Sequence, residues 1–209
     1  MAITSYATLQ TTIADFLNRD DLTTAISTFI QLAEAQMNRE IRHYSMESRV
    51  QSVQDQGDQY MQIPSDWLET IRLILTGSGT SVVELISLSG MADKRAKTED
   101  AAGTPVFYCH VDSQFELFPT PSESTNFELL YYQKIPALAD DNTSNWLLET
   151  APDIYLYGAL LHSAPYLAED TRVAVWAQLY SAAVQNLNNQ SERVKNSGTG
   201  IRLNIRGLG

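Results

Sequence analysis

Apolar residues along the chain recur with two different periods, and the switch between them divides it. Between residues 5 and 17, Tyr6, Leu9, Ile13, Phe16 and Leu17 repeat at helical spacing behind Ser5, a residue suited to cap a helix N-terminus. The polar run NRDD at 18–21 ends that stripe. A second helix is predicted over 24–43, with Ile26, Phe29, Ile30, Ala33, Met37 and Ile41 on one face. Its last turns carry Arg39, Arg42 and His43, the sign of charge that suits a helix C-terminus. From about residue 48 the apolar positions alternate instead, which is the period of a strand. Residues 49–53 and 59–63 flank the turn sequence DQGD and predict one hairpin; residues 70–75 and 81–85 flank GSGT and predict another. A short helix over 88–96 and strands over 105–111, 114–118 and 127–133 complete the middle region, whose Val, Phe, Tyr and Cys content fits a half-buried pleated surface.

Helical spacing returns at Asn145, in NWLLETAPDIYLYGALLHSAPYL. Ile154, Tyr157, Leu161 and Ala164 make one stripe, and Leu156, Ala159 and Leu160 make the opposite side apolar too. A helix apolar nearly all round must be surrounded by protein or lipid. This run is too short, and too interrupted by Gly158, His162 and Pro165, to cross a bilayer. It therefore reads as a central helix that stops at Pro165, with neighbours supplied by this chain or by another copy. A last helix, from near residue 170, repeats Val173, Trp176, Tyr180, Ala183, Val184 and Leu187 at close to seven-residue spacing, a seam for packing on another helix. The expected fold class is α+β. N- and C-terminal helices (1–46 and 145–195) form a helical bundle, a β-rich domain (47–144), an antiparallel sheet or sandwich, is inserted, and 196–209 is an extended C-terminal arm.

That arm contains no acid and sets Ile201, Leu203 and Ile205 opposite Arg202 and Arg206. A lone strand has nothing to pair with and is unstable in water. The pattern thus reads either as a segment that gains order on another subunit's surface or sheet edge, or as a frayed glycine-rich terminus.

Charge and composition narrow the function. At 209 residues the chain can bury a real core, and its net charge is −11. Such acidity argues against a phosphate-gripping surface, although an acidic wall would let a duplex slide past without sticking. Cys109 is the single cysteine, so neither a disulfide framework nor a thiolate metal cluster is expected. The opening MAITSYATLQ lacks a secretory pattern, which predicts a reducing cytoplasm at least until assembly.

Candidate chemistry is sparse. His43, His110 and His162 are isolated, no metalloprotease, nucleophile-elbow or phosphate-loop motif occurs, and no cofactor is implied. Glu116 and Glu128 each sit in a Phe-Glu-Leu triplet on strands predicted to be adjacent, and two carboxylates suffice for glycoside hydrolysis. Solvated strand faces carry acids as a matter of course, and that reading is preferred. Asp140, Asp141 and Asn142 lack calcium-loop spacing and read as turn residues. Trp146, Tyr131, Tyr132, Tyr155, Tyr157 and Trp176 have no basic strip beside them, so core or subunit interface accounts for them better than a stacking platform.

Three stretches resemble a family. YYQKIPAL at 131–138, the run from Asn145 to Trp176 and TFIQLAEAQMNREIRH at 28–43 resemble the head-to-tail adaptor proteins of tailed bacteriophages, also called tail tubular protein A-type proteins; SYATLQTTIADFLNRDDL fits the same pattern. The likeness extends over about residues 1–195. It implies a structural virion protein at the head–tail junction, assembled in the host cytoplasm. It further implies a dodecameric ring of identical copies below the portal protein, and a tail nozzle or tail tube protein beneath. Genomic DNA would pass through the channel without specific binding, and no membrane is involved. A C-terminal arm would dock on the portal, here through Ile201, Arg202, Leu203, Asn204, Ile205 and Arg206. Subunit packing would use Tyr157, Leu161, Trp176 and Tyr180. The family carries no catalytic motif. The alternatives are a virion-associated peptidoglycan hydrolase using two of Glu84, Glu116 and Glu128, and a minor tail or tail-tube component.

Overall fold

The computed structural model describes residues 2–77, 79–98, 101–167 and 172–197. The chain is mixed α+β and divides into two compact units: Met46–Lys134 forms one, and the segments on either side of it form the other.

The flanking segments make a helical unit. α1 (Tyr6–Leu17) opens on a capping box, Ser5 with Thr8, and buries Tyr6, Leu9, Ile13 and Leu17. NRDD stops it because Asn18 adopts the left-handed conformation, φ 53°, which asparagine tolerates. α2 (Thr23–Glu40) ends three residues earlier than its charge pattern predicts. The chain turns extended at Ile41, and the freed N–H groups of Arg42 and Tyr44 donate to Asn188 Oδ1 at 3.1 Å and Ser191 Oγ at 2.9 Å. Both acceptors belong to α6 (Val173–Asn196). The single central helix expected from Asn145 is two helices, α4 (Trp146–Thr150) and α5 (Pro152–Leu167). Pro152 explains the break: it pushes Ala151 out of helical geometry and is itself well placed in the first turn of α5. α5 also runs through Pro165, where a stop was expected. The proline gives up the one hydrogen bond that its N–H would make one turn back, and the helix continues past it.

α5 is buried on most sides, at Ile154, Tyr155, Leu156, Gly158, Ala159, Leu160 and Ser163, and it packs against α1, α2, α4 and α6. The helices approach one another closely at Gly158. A Cβ there would lie 3.2 Å from each of Ala33 Cβ, Met37 Cε and Tyr180 Cε2. Residue 158 is therefore where α2, α5 and α6 meet so tightly that a side chain would press on all three contacts.

The middle unit is built on one seven-stranded, nearly closed sheet. Its strands are β1 (Glu47–Gln54), β2 (Tyr60–Gln62), β3 (Trp67–Thr76), β4 (Ser81–Leu85), β6 (Phe107–Val111), β7 (Gln114–Phe118) and β9 (Thr125–Gln133), in the order β1-β9-β3-β4-β6-β7-β2. Two short strands, β5 (Ala102–Gly103) and β8 (Thr120–Pro121), pair separately. The expected hairpin across GSGT is present, with Leu73 opposite Val83. The one across DQGD is not. Gly57 supplies the positive φ, 82°, that the turn needs, but β1 gives all eight residues to β9 and β2 pairs with β7. The sheet is also not wholly antiparallel: α3 (Leu88–Thr98) is a crossover helix, so β4 and β6 run parallel.

Alternation on the strands sends Met61, Leu73, Leu75, Val83, Tyr108, Phe115, Leu117, Phe127, Leu129 and Tyr131 to one enclosed face. α3 covers part of the other face, where Met91 meets Cys109 and Phe118.

The contact at residue 158 generates the first prediction. Gly158→Val overpacks against Ala33 and Tyr180 and is expected to cost about 1–3 kcal/mol, lowering the thermal midpoint by several degrees. An unchanged midpoint by calorimetry would show that the three helices are not in tight register there.

Candidate interaction surfaces

The carboxylates proposed for hydrolysis do not converge. β7, with Glu116, and β9, with Glu128, are separated in the sheet by β6, β4 and β3. Glu84 is exposed on β4. Glu128 lies 3.5 Å from the Arg49 guanidinium across the β1–β9 pair. Glu116 overturns the expectation of a solvated acid. It is buried, ion-paired with Arg95 of α3, and receives the Cys109 S–H at 3.8 Å. The alternation of the FEL triplet is as expected, but the outward face at this strand is roofed by α3 rather than open to water. Arg95 also donates to the Leu117 carbonyl at 2.9 Å, so the pair fastens α3 to the sheet. Cys109 is buried on β6, and burial with the neighbouring Glu116 pushes its thiol up to about 11. That is the opposite of a nucleophile's tuning.

The histidines are held apart. His43 is buried and stacks on Trp146 at 5.0 Å; His110 packs edge-on against Phe115 at 4.9 Å; His162 shares a hydrogen bond of 2.9 Å with Gln36. Burial lowers the pKa of both His110 and His162. Among the described residues no group of three or more His, Cys, Asp or Glu could hold a metal. The loop with Asp140 and Asp141 does turn work: Ala139 and Asn142 exchange backbone hydrogen bonds, and Asn142 Nδ2 donates to Ala137 O at 2.6 Å. The aromatic residues make no platform. Tyr131 is in the sheet core, and Tyr155 and Trp176 are in the helical core.

One polar centre was missed by sequence reasoning. Glu34 is 6% exposed inside the helical unit. Its Oε1 accepts from the Leu138 N–H at 2.8 Å and the Tyr155 O–H at 3.1 Å. Asn145 Nδ2 donates to Tyr155 Oη and to Pro136 O, both at 2.7 Å, while its Oδ1 caps α4 at the Leu148 N–H. One carboxylate thus ties the irregular segment 135–145 to α2 and α5. The signal was present, because Glu34 falls in line with Ile26 and Ile30 on the apolar face of α2.

Apolar side chains left outside the two cores are the remaining candidates. In the helical unit Phe16, Leu32, Tyr166, Val175, Leu179 and Val194 are exposed. Of the four residues expected to pack between subunits, Trp176 and Tyr180 are buried in the chain's own helical core, whereas Tyr157 and Leu161 are half-buried on α5. Residues 201–206, expected to contact a portal, lie outside the described residues. In the sheet unit, β1 and β2 leave an apolar groove between their outer edges, which pair with no strand among the described residues.

Among the described residues the candidate carboxylates do not converge, and apolar side chains are exposed outside the two cores. A family model described as SU10 adaptor protein matches residues 4–202. The chain belongs to that family of phage head-to-tail adaptors. No curated protein matches it. Membership makes the adaptor a structural phage protein associated with portal and tail proteins at the head–tail junction. Among the described residues of the adaptor, no helix is long and apolar enough to cross a membrane.

The Glu34 centre has a pH signature. Burial raises its pKa above the ordinary 4.5, so between the unfolded and folded values the native state holds more protons and stability falls as pH rises. Urea titrations of wild type and Glu34→Gln, which keeps the Oε1 acceptor, are expected to diverge in the variant's favour as pH climbs from 4 to 7. Parallel curves would mean that Glu34 is not held in a raised state.

Proposed function

We propose that the chain closes with identical copies into a dodecameric ring between portal and tail, leaving a channel through which the genome passes. Family membership carries this reading. The ring needs two different faces on each copy, because its contacts are heterologous. Val175 and Leu179 lie one turn apart on α6, beside the stripe that anchors the helix in its own chain. With the half-buried Tyr157 and Leu161 of α5, they are the side chains offered to the next copy. The channel wall draws on the net charge of −11, which repels phosphate and keeps DNA mobile. Ile201, Arg202, Leu203, Asn204, Ile205 and Arg206 reach the portal protein, and a tail nozzle or tail tube protein attaches on the other side. The work is mechanical, and no bond is made or broken.

Val175→Asp combined with Leu179→Asp should leave circular dichroism unchanged, since both positions are exposed, and should abolish rings in native mass spectrometry. Rings that persist would move the contact to another flank. Separately, truncation after Ser197 should give a folded protein that no longer loads onto filled heads. Normal particle completion by the truncated chain would remove the arm from the reading.

A further inference from the structure

The two edges of the curled sheet do not meet. Among the described residues β1 pairs only with β9 and β2 only with β7, so the seam between them has no ladder. At the turn end a side chain bridges it: Gln54 Nε2 donates to Tyr60 O at 2.9 Å, and Gln54 is buried. Further along, the seam opens into a groove of about 280 Å³. Val50 and Ser52 line one side, Met61 and Ile63 the other, and Phe127 and Leu129 the floor. Ser48, Val50 and Ser52 point inward by the alternation of β1 yet are only half-buried.

We infer that this seam receives residues 200–206 of a second copy as an added strand, before any portal is met. The inference rests on the ring reading above, in which each chain has a neighbour. Four observations select this occupant. A strand in the seam has one face on the apolar floor and one in water, and Ile201, Leu203 and Ile205 alternate with Arg202, Asn204 and Arg206 in that way. Seven residues extend over roughly 23 Å, a length that eight-residue β1 can pair. The segment carries two arginines and no acid, whereas Glu47 stands at one end of β1 and Asp55 and Asp58 at the other. Finally, an open edge over an apolar floor is an aggregation hazard that a seated strand removes.

The test uses two chains. One carries Ser52→Cys and is truncated after Ser197, so it has no arm of its own; the other is full length and carries Leu203→Cys. The native Cys109 is buried in both. Mild oxidation of the mixture should give a disulfide-linked heterodimer. Its yield should fall by roughly tenfold or more when the armed chain also carries Ile201→Asp and Ile205→Asp. A labelled peptide of residues 198–209 should bind the truncated chain in fluorescence anisotropy, which keeps the inference testable if the cysteine variants misfold. No heterodimer and no peptide binding overturns it. Peptide bound by purified portal but not by the truncated chain also overturns it, while leaving the adaptor reading intact. Loading of the full-length chain onto heads reads that adaptor proposal independently.

Discussion

Three helices meet where residue 158 has no side chain, and the helical unit is arranged around that meeting. α5 can be apolar nearly all round because α2 and α6 approach it closely enough to leave 3.2 Å to a hypothetical Cβ. The same proximity lets α6 finish α2, through Asn188 and Ser191, so the chain leaves the helix without stranding backbone donors. Glu34 then holds the irregular segment 135–145 against the two helices through Leu138 and Tyr155. A buried carboxyl is an expensive tie in a dry interior, and two donors on Oε1 offset part of that cost.

In the sheet unit the governing constraint is which face is covered. The enclosed face takes the alternating apolar residues of six strands, while α3 roofs a patch of the other, sealed by Arg95 and Glu116. The strand pairing uses β9 as a central partner for both β1 and β3, and among the described residues no strand pairs with the outer edge of β1 or β2. At the DQGD turn the Gln54 side-chain amide bridges the two edges, and among the described residues no ladder joins them.

The elements were largely legible in the sequence, and their partners were not. Helical stripes such as Tyr6–Leu9–Ile13 and strand alternation such as Phe127–Leu129–Tyr131 are local signals, set by the 3.6- and 2-residue periods. Pairing is nonlocal. Nothing in residues 49–63 shows that β1 prefers β9 over β2, and nothing near Glu116 announces a helix 21 positions away that will cover it. Helix ends failed for a related reason: the stop at Glu40 depends on acceptors some 146 residues further along. Pro152 was a readable break, but the density of apolar residues around it masked the two-helix boundary. Trp176 and Tyr180 carry a stripe that the sequence alone cannot assign to a neighbouring copy or to the chain itself, and both are buried in the chain's own helical core.

Val175 and Leu179 on α6 and the groove beside β1 lie outside the two cores, and the sequence at 201–206 alternates Ile or Leu with Arg or Asn. Membership in the SU10 adaptor family supplies the setting for these surfaces, and the proposal that they serve a ring on a portal follows from placing them there. Electron microscopy of the purified chain mixed with purified portal tests that proposal most directly. A closed ring of this chain seated on one face of the portal is the predicted image; single copies scattered beside bare portals would contradict it.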